Sequence, residues 1–161
     1  MDVLWSDLFP TSFEFFGLLS EERNRPYEVS RGQAGGRVKE INWHAFDYYP
    51  ALKRLQIYVQ ENPDKHLTLR EAAAVVAMES TYFSNCFHRK VGICFKHWED
   101  ICMVERAVQA FNTSDISVTD AGLGAGFNDL TTFERTFKRV KKMTPVQYRN
   151  SVRRRNLNRA E

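Results

Sequence analysis

From Tyr48 onward the apolar residues recur at spacings of three and four, the period of helices that bury one face. Leu52, Leu55, Tyr58 and Val59 make the first stripe, and Asn62-Pro63-Asp64 stops it. Thr68 and Glu71 stand as N-cap and N3 of a capping box, which opens a short alanine-rich helix over Leu69 to Val76. A turn at Ala77 to Ser80 leads into a helix from Tyr82 to Lys90 that carries Phe83 and Phe87 as an i,i+4 pair. Phe95, Trp98, Ile101, Cys102, Val108 and Phe111 describe a long helix, ended by Asn112-Thr-Ser-Asp115. Ser117 or Thr119 can cap a short helix from Val118 to Gly124, and the turn Ala125 to Asp129 precedes a helix anchored by Phe133 and Phe137. Thr144 at N-cap and Pro145 at N1 begin a last one. The pattern predicts an all-α protein with about seven helices. Upstream, Val38 to Phe46 reads as a lone strand at best, and residues 26 to 37, with Pro26, Gly32, Gly35 and Gly36, read as a flexible link.

Two stretches repeat. Laid on each other at Phe83/Phe133 and Phe87/Phe137, they stand 50 residues apart, and each is a short helix, a turn and a second helix. With the phenylalanines buried, the second stretch presents Leu130, Thr131, Glu134, Arg135, Lys138 and Arg139 on its opposite face. Short polar groups around an arginine suit a groove lined by phosphates and base edges. Charge sharpens this. Residues 1–50 hold five Lys/Arg against eight Asp/Glu, whereas Arg135 to Arg159 contains ten Lys/Arg and no acid. Basic charge gathered at one end is an electrostatic footprint for a polyanion, and the competing reading is a solvated helix face with a basic tail.

At Val118 to Arg139 and Thr144-Pro145-Val-Gln-Tyr148-Arg149 the chain resembles the DNA-binding domain of the AraC/XylS transcription regulators, and Leu69 to Gly92 matches the first motif of that family. The resemblance runs from Tyr48 to Arg153 and implies two helix-turn-helix subdomains joined by one long linker helix, Phe95 to Phe111. It divides the chain into an N-terminal extension of residues 1–46, a DNA-binding domain of 47–156 and a basic tail of 157–161. Carried over position by position, Thr81, Ser84 and Asn85 would face DNA from the first recognition helix, with His88, Arg89 and Lys90 towards the backbone. In the second, Leu130, Thr131, Thr132, Glu134 and Arg135 would face the groove, beside Lys138 and Arg139. Arg135 is the side chain best able to make a bidentate contact with guanine. The chain departs from the family pattern at Ala77, Glu79, Met103, Ala121-Gly122 and Lys142, and Gly122 is expected to weaken its helix by about 1 kcal/mol relative to alanine.

The resemblance implies a sequence-specific, DNA-binding transcription regulator of the activator kind, with double-stranded DNA and RNA polymerase as partners. The alternative is an adaptor acting on another regulator through residues 1–46, whose Trp5, Phe9, Phe13, Phe15 and Phe16 suit either self-packing or a protein partner. No enzyme, cofactor or metal site is expected. Gly122-Leu-Gly-Ala-Gly126 lacks the spacing of a dinucleotide loop. Cys86, His88, Cys94, His97 and Cys102 lack the paired spacing of a zinc site, and His44, His66, His88 and His97 have no evident catalytic partner. Asp2 and Asp7 argue against a secretory leader, no run is long enough to span a membrane, and reduced thiols are expected, so the expected location is cytoplasmic.

Overall fold

The computed structural model describes residues 41–158. The expectations for the aromatic residues of 1–25, the link at 26–37 and Arg159 lie outside the described residues. Within them the chain forms α1 (His44–Tyr48), α2 (Pro50–Glu61), α3 (Leu69–Val75), α4 (Ser80–Val91), α5 (Phe95–Thr113), α6 (Val118–Gly124), α7 (Leu130–Lys141) and α8 (Pro145–Leu157). The all-α expectation holds there, with eight helices rather than seven. The added one is α1, which replaces the end of the strand expected over Val38 to Phe46, of which residues 38–40 lie outside the described residues. A lone strand would leave its ladder unpaired, whereas a helix satisfies its own backbone and lets Phe46 stack on Trp98 at 5.2 Å between ring centres. Ala45 and Phe46 are each 1% exposed, so the boundary expected between 46 and 47 falls inside α1.

The described residues divide into two units, and the division falls within α5, between Glu99 and Asp100. The first comprises 41–62 and Leu67–Glu99; the second comprises Pro63–His66 and 100–158. In the first, Phe87 is fully buried and touches Phe46, Phe83, Phe95 and Trp98, with ring centres 5.6–6.1 Å apart. Glu99, itself buried, accepts a hydrogen bond from the Leu67 amide at 2.5 Å and so ties down the entrance to α3. In the second, Phe137 holds the equivalent place against Phe111, Phe133 and Tyr148, at 5.5–6.2 Å. Each such ring buries enough apolar area to dominate a small core.

The second unit adds ion pairs. Asp100 receives Arg139, Glu105 pairs with Lys141 at 2.5 Å, and Asp115 takes Arg153 at 2.5 Å and Arg149 at 3.5 Å. Arg106, 4% exposed, donates to the Pro63 carbonyl within the same unit.

Candidate nucleic-acid interface

Each unit contains a helix-turn-helix, and its second helix begins at a carboxylate. The Thr68 capping box starts α3, and Ser117 caps α6 by accepting from the Asp120 amide at 3.0 Å. Both helices end in the same way. Met78 donates to the Ala73 carbonyl and Ala77 to Ala74; Phe127 donates to Gly122 and Gly126 to Leu123. This is the paired bonding of a Schellman turn, which needs a left-handed residue at its corner. That residue is Ala77, with φ 55°, in the first unit and Gly126, with φ 98°, in the second. The second turn is one residue longer, because Asp129 caps α7 three positions after Gly126 whereas Glu79 caps α4 two after Ala77.

Glu79 accepts from the amides of Thr81 and Tyr82 at 2.8 and 2.9 Å, and Asp129 accepts from Thr132 at 2.7 Å. The Thr81 amide, then that of Tyr82, hold the Glu79 carboxyl below its ordinary range; the Thr132 amide does most of the same for Asp129, with a smaller pull from the charge of Arg135. The departure from the family pattern at Glu79 keeps the cap, since a carboxylate oxygen accepts from the orphan amides of the first turn.

Counted from these caps, the two second helices have one register. Phe83 and Phe133 are fourth, Phe87 and Phe137 eighth, and all four are at most 1% exposed. The opposite face is open. On α4 it presents Thr81, Asn85, His88 and Arg89, with Ser84 half-buried; on α7 it presents Leu130, Thr131, Glu134, Arg135 and Lys138, with Thr132 half-buried. Two of the expected backbone contacts are engaged inside the protein. The Lys90 ammonium donates to the Tyr49 hydroxyl at 2.8 Å and lies over that ring at 4.3 Å, and Arg139 is bonded to the buried Asp100 carboxylate. Lys138, Arg139 and Lys141 also lie in the last turn of α7, where cations offset the helix dipole. The basic stretch is therefore less free than its composition suggests.

Tyr82 was missed by sequence reasoning. It is 59% exposed and third after its cap, the place that Thr132 holds on α7, so the 50-residue repeat could have found it. Gly122 corrects another expectation. A Cβ there would stand 2.6 Å from the buried Phe133 ring, so the residue makes room for the core, and alanine's better helix propensity is overridden by packing. Among the cysteines, Cys102 is buried, Cys86 half-buried and Cys94 exposed. Among the described residues no three metal-binding side chains converge, and no helix is long and apolar enough to cross a membrane.

Comparison with known proteins places this geometry. Residues 72–151 match the family model described as a helix-turn-helix domain. An uncharacterized HTH-type transcriptional regulator of Staphylococcus aureus is 30% identical over 92 residues, 57% of this chain and 12% of that protein. The chain thus spans about an eighth of that relative. Among solved structures, the DNA-binding domain of AdpA, a global transcriptional factor in complex with a target DNA, has a TM-score of 0.61 at 24% identity, covering 66% of this chain and 95% of that one. An AraC-type transcriptional regulator from Chromobacterium violaceum has a TM-score of 0.59 at 20% identity, covering 64% of this chain and 92% of that one.

Proposed function

We propose, from the AraC-type helix-turn-helix domain that this chain carries, that it regulates transcription by binding double-stranded DNA with α4 and α7 as two recognition helices. The observation behind this reading is the shared register of the two helices. Each buries phenylalanines at its fourth and eighth positions and leaves the polar face between them open. Such a face fits the major groove, which is wide enough to admit one helix and displays donors and acceptors distinct for each base pair. Thr81, Ser84 and Asn85 on α4, and Leu130, Thr131, Thr132, Glu134 and Arg135 on α7, are the proposed groove-facing residues. Arg89 and Lys138 supply positive charge beside them, and His88 adds an exposed hydrogen-bonding ring.

Lys90 and Arg139 take a different role in this proposal. They orient their helices from within the protein, through Tyr49 and Asp100, and add long-range positive potential. Two unlike recognition faces in one chain favour an asymmetric site spread over two successive major-groove segments, about 34 Å apart on one face of B-DNA. Activation, with a contact to RNA polymerase, is the expected regulatory sense and rests on the family resemblance alone; a promoter–reporter assay decides it.

Footprinting of the full chain on DNA fragments, followed by binding at several salt concentrations, tests the reading. The expected result is protection of a defined stretch, with affinity falling linearly on a log–log plot against salt. Equal affinity for unrelated sequences, or no protection, would overturn it.

A further inference from the structure

We infer that one helix position, the sixth after the cap, sets the base preference of each half of the DNA site: Asn85 on α4 selects adenine, and Arg135 on α7 selects guanine. The inference rests on the DNA-binding reading above and deepens it.

The geometry isolates this position. Two residues along a helix turn the side chain by about 200°, so the sixth position points away from both the fourth and the eighth. Those are the buried phenylalanines in each unit, and the sixth is therefore the residue most directly opposite the core. Asn85 and Arg135 are both exposed, and neither side chain forms a hydrogen bond or ion pair among the described residues. Lys90 and Arg139, by contrast, are engaged at their tips.

The chemistry of the two side chains differs where the base edges differ. An asparagine amide offers one acceptor and two donors and can pair with the N6 donor and N7 acceptor of adenine. An arginine fork offers only donors and fits the two acceptors of guanine, O6 and N7. The surroundings agree with each assignment. Ser80 to Phe87 contains no Lys or Arg, so nothing in the first two turns of α4 can make the bidentate cation contact to guanine. Tyr82 and Thr81 instead bring an exposed ring and a methyl group, which suit the thymine methyl of an A·T pair. On α7, Glu134 stands next to Arg135, and its carboxylate can accept from the N4 amino group of cytosine. It would also be repelled by phosphates, which disfavours a purely backbone role for this turn.

The test exchanges the two side chains. The full chain, Asn85→Arg, Arg135→Asn and the double exchange are measured against a panel of duplexes carrying all four base pairs at each position of the bound site. Thermal melts establish that the exposed substitutions leave the fold intact. Asn85→Arg should change one position of its half-site from A·T to G·C, and Arg135→Asn should do the reverse in the other half, each by about tenfold or more. Arg135→Lys keeps the charge but loses the fork, so it should lose the guanine preference while retaining most of the salt dependence. Uniform weakening across all duplexes with a shallower salt slope would overturn the inference and assign both residues to the backbone. So would unchanged preferences. A parent chain with no sequence preference would overturn the functional reading itself, a result distinct from either.

Discussion

In the first unit the chain turns from α3 to α4 through Ala77, and α4 ends on Gly92; in the second it turns from α6 to α7 through Gly126, and α7 ends on Lys142. All four have positive φ, from 55° to 98°. Each unit thus meets one left-handed corner with glycine and the other with a side-chain-bearing residue, in opposite order. Supports differ too. The first unit holds α4 in a cluster of five aromatic rings; the second ties α7 to Asp100 and Glu105 through Arg139 and Lys141, and α8 to Asp115 through Arg149 and Arg153. Yet both keep the buried phenylalanines in one register. The comparison teaches that the open face is independent of the means that hold the helix, which leaves Asn85 and Arg135 free to diverge.

The largest effects should come from the shared element. Phe87→Ala and Phe137→Ala should each cost about 3–5 kcal/mol, because both rings are fully buried. Denaturant unfolding would show it, and DNA binding should fall in parallel, whereas Asn85→Ala should leave stability unchanged. A Phe137→Ala protein that melted like the parent would mean that the two cores are not equivalent.

Gly122 separates propensity from packing. Gly122→Ala should destabilise the second unit by about 1–3 kcal/mol through its clash with Phe133, despite a gain of about 1 kcal/mol in helix propensity. Ala73 is the matching residue in the first unit and is buried without such a conflict, so Ala73→Gly should lose about 1 kcal/mol. A higher melting temperature for Gly122→Ala would contradict the packing account.

The corners sharpen the comparison further. Ala77→Gly and Lys142→Gly should each stabilise by about 0.5–1 kcal/mol, since relief of left-handed strain exceeds the entropy that glycine adds to the unfolded chain. Gly92→Ala and Gly126→Ala should lower the midpoint, and a set of four neutral substitutions would remove strain from the account.

The smallest effect is one of pH. Glu79 and Asp129 have carboxyls held below their ordinary range by the amides they cap, first those of Thr81 and Thr132. Depressed acids stabilise the fold fully at neutral pH, and that contribution fades as the pH falls below about 4 and through the folded-state values. Glu79→Gln together with Asp129→Asn should flatten this acid limb. An unchanged acid profile would show that the caps do not control it.

Much of the fold was legible because its signals are local. The Thr68–Glu71 box, the Thr144–Pro145 start and the i,i+4 phenylalanines lie within a few residues of what they determine. α1 was not legible, since a run of β-branched and aromatic residues carries no helical period and its helix depends on Phe46 meeting Trp98, 52 residues on. At the site, the open face followed from periodicity. The engagement of Arg139 and Lys90 did not, because their partners stand 39 and 41 residues away. Tyr82 was hidden by its type: an aromatic residue beside Phe83 looks like core until the register of the helix is known.

If α4 and α7 read DNA as proposed, one chain binds two unlike half-sites. Selection of bound sequences from random duplex DNA by the full chain, with sedimentation of the complex to count chains per duplex, tests it most directly. The expected result is an asymmetric site whose halves differ in sequence, centred about 10 base pairs apart and occupied by one chain. A perfect palindrome occupied by two chains would contradict it.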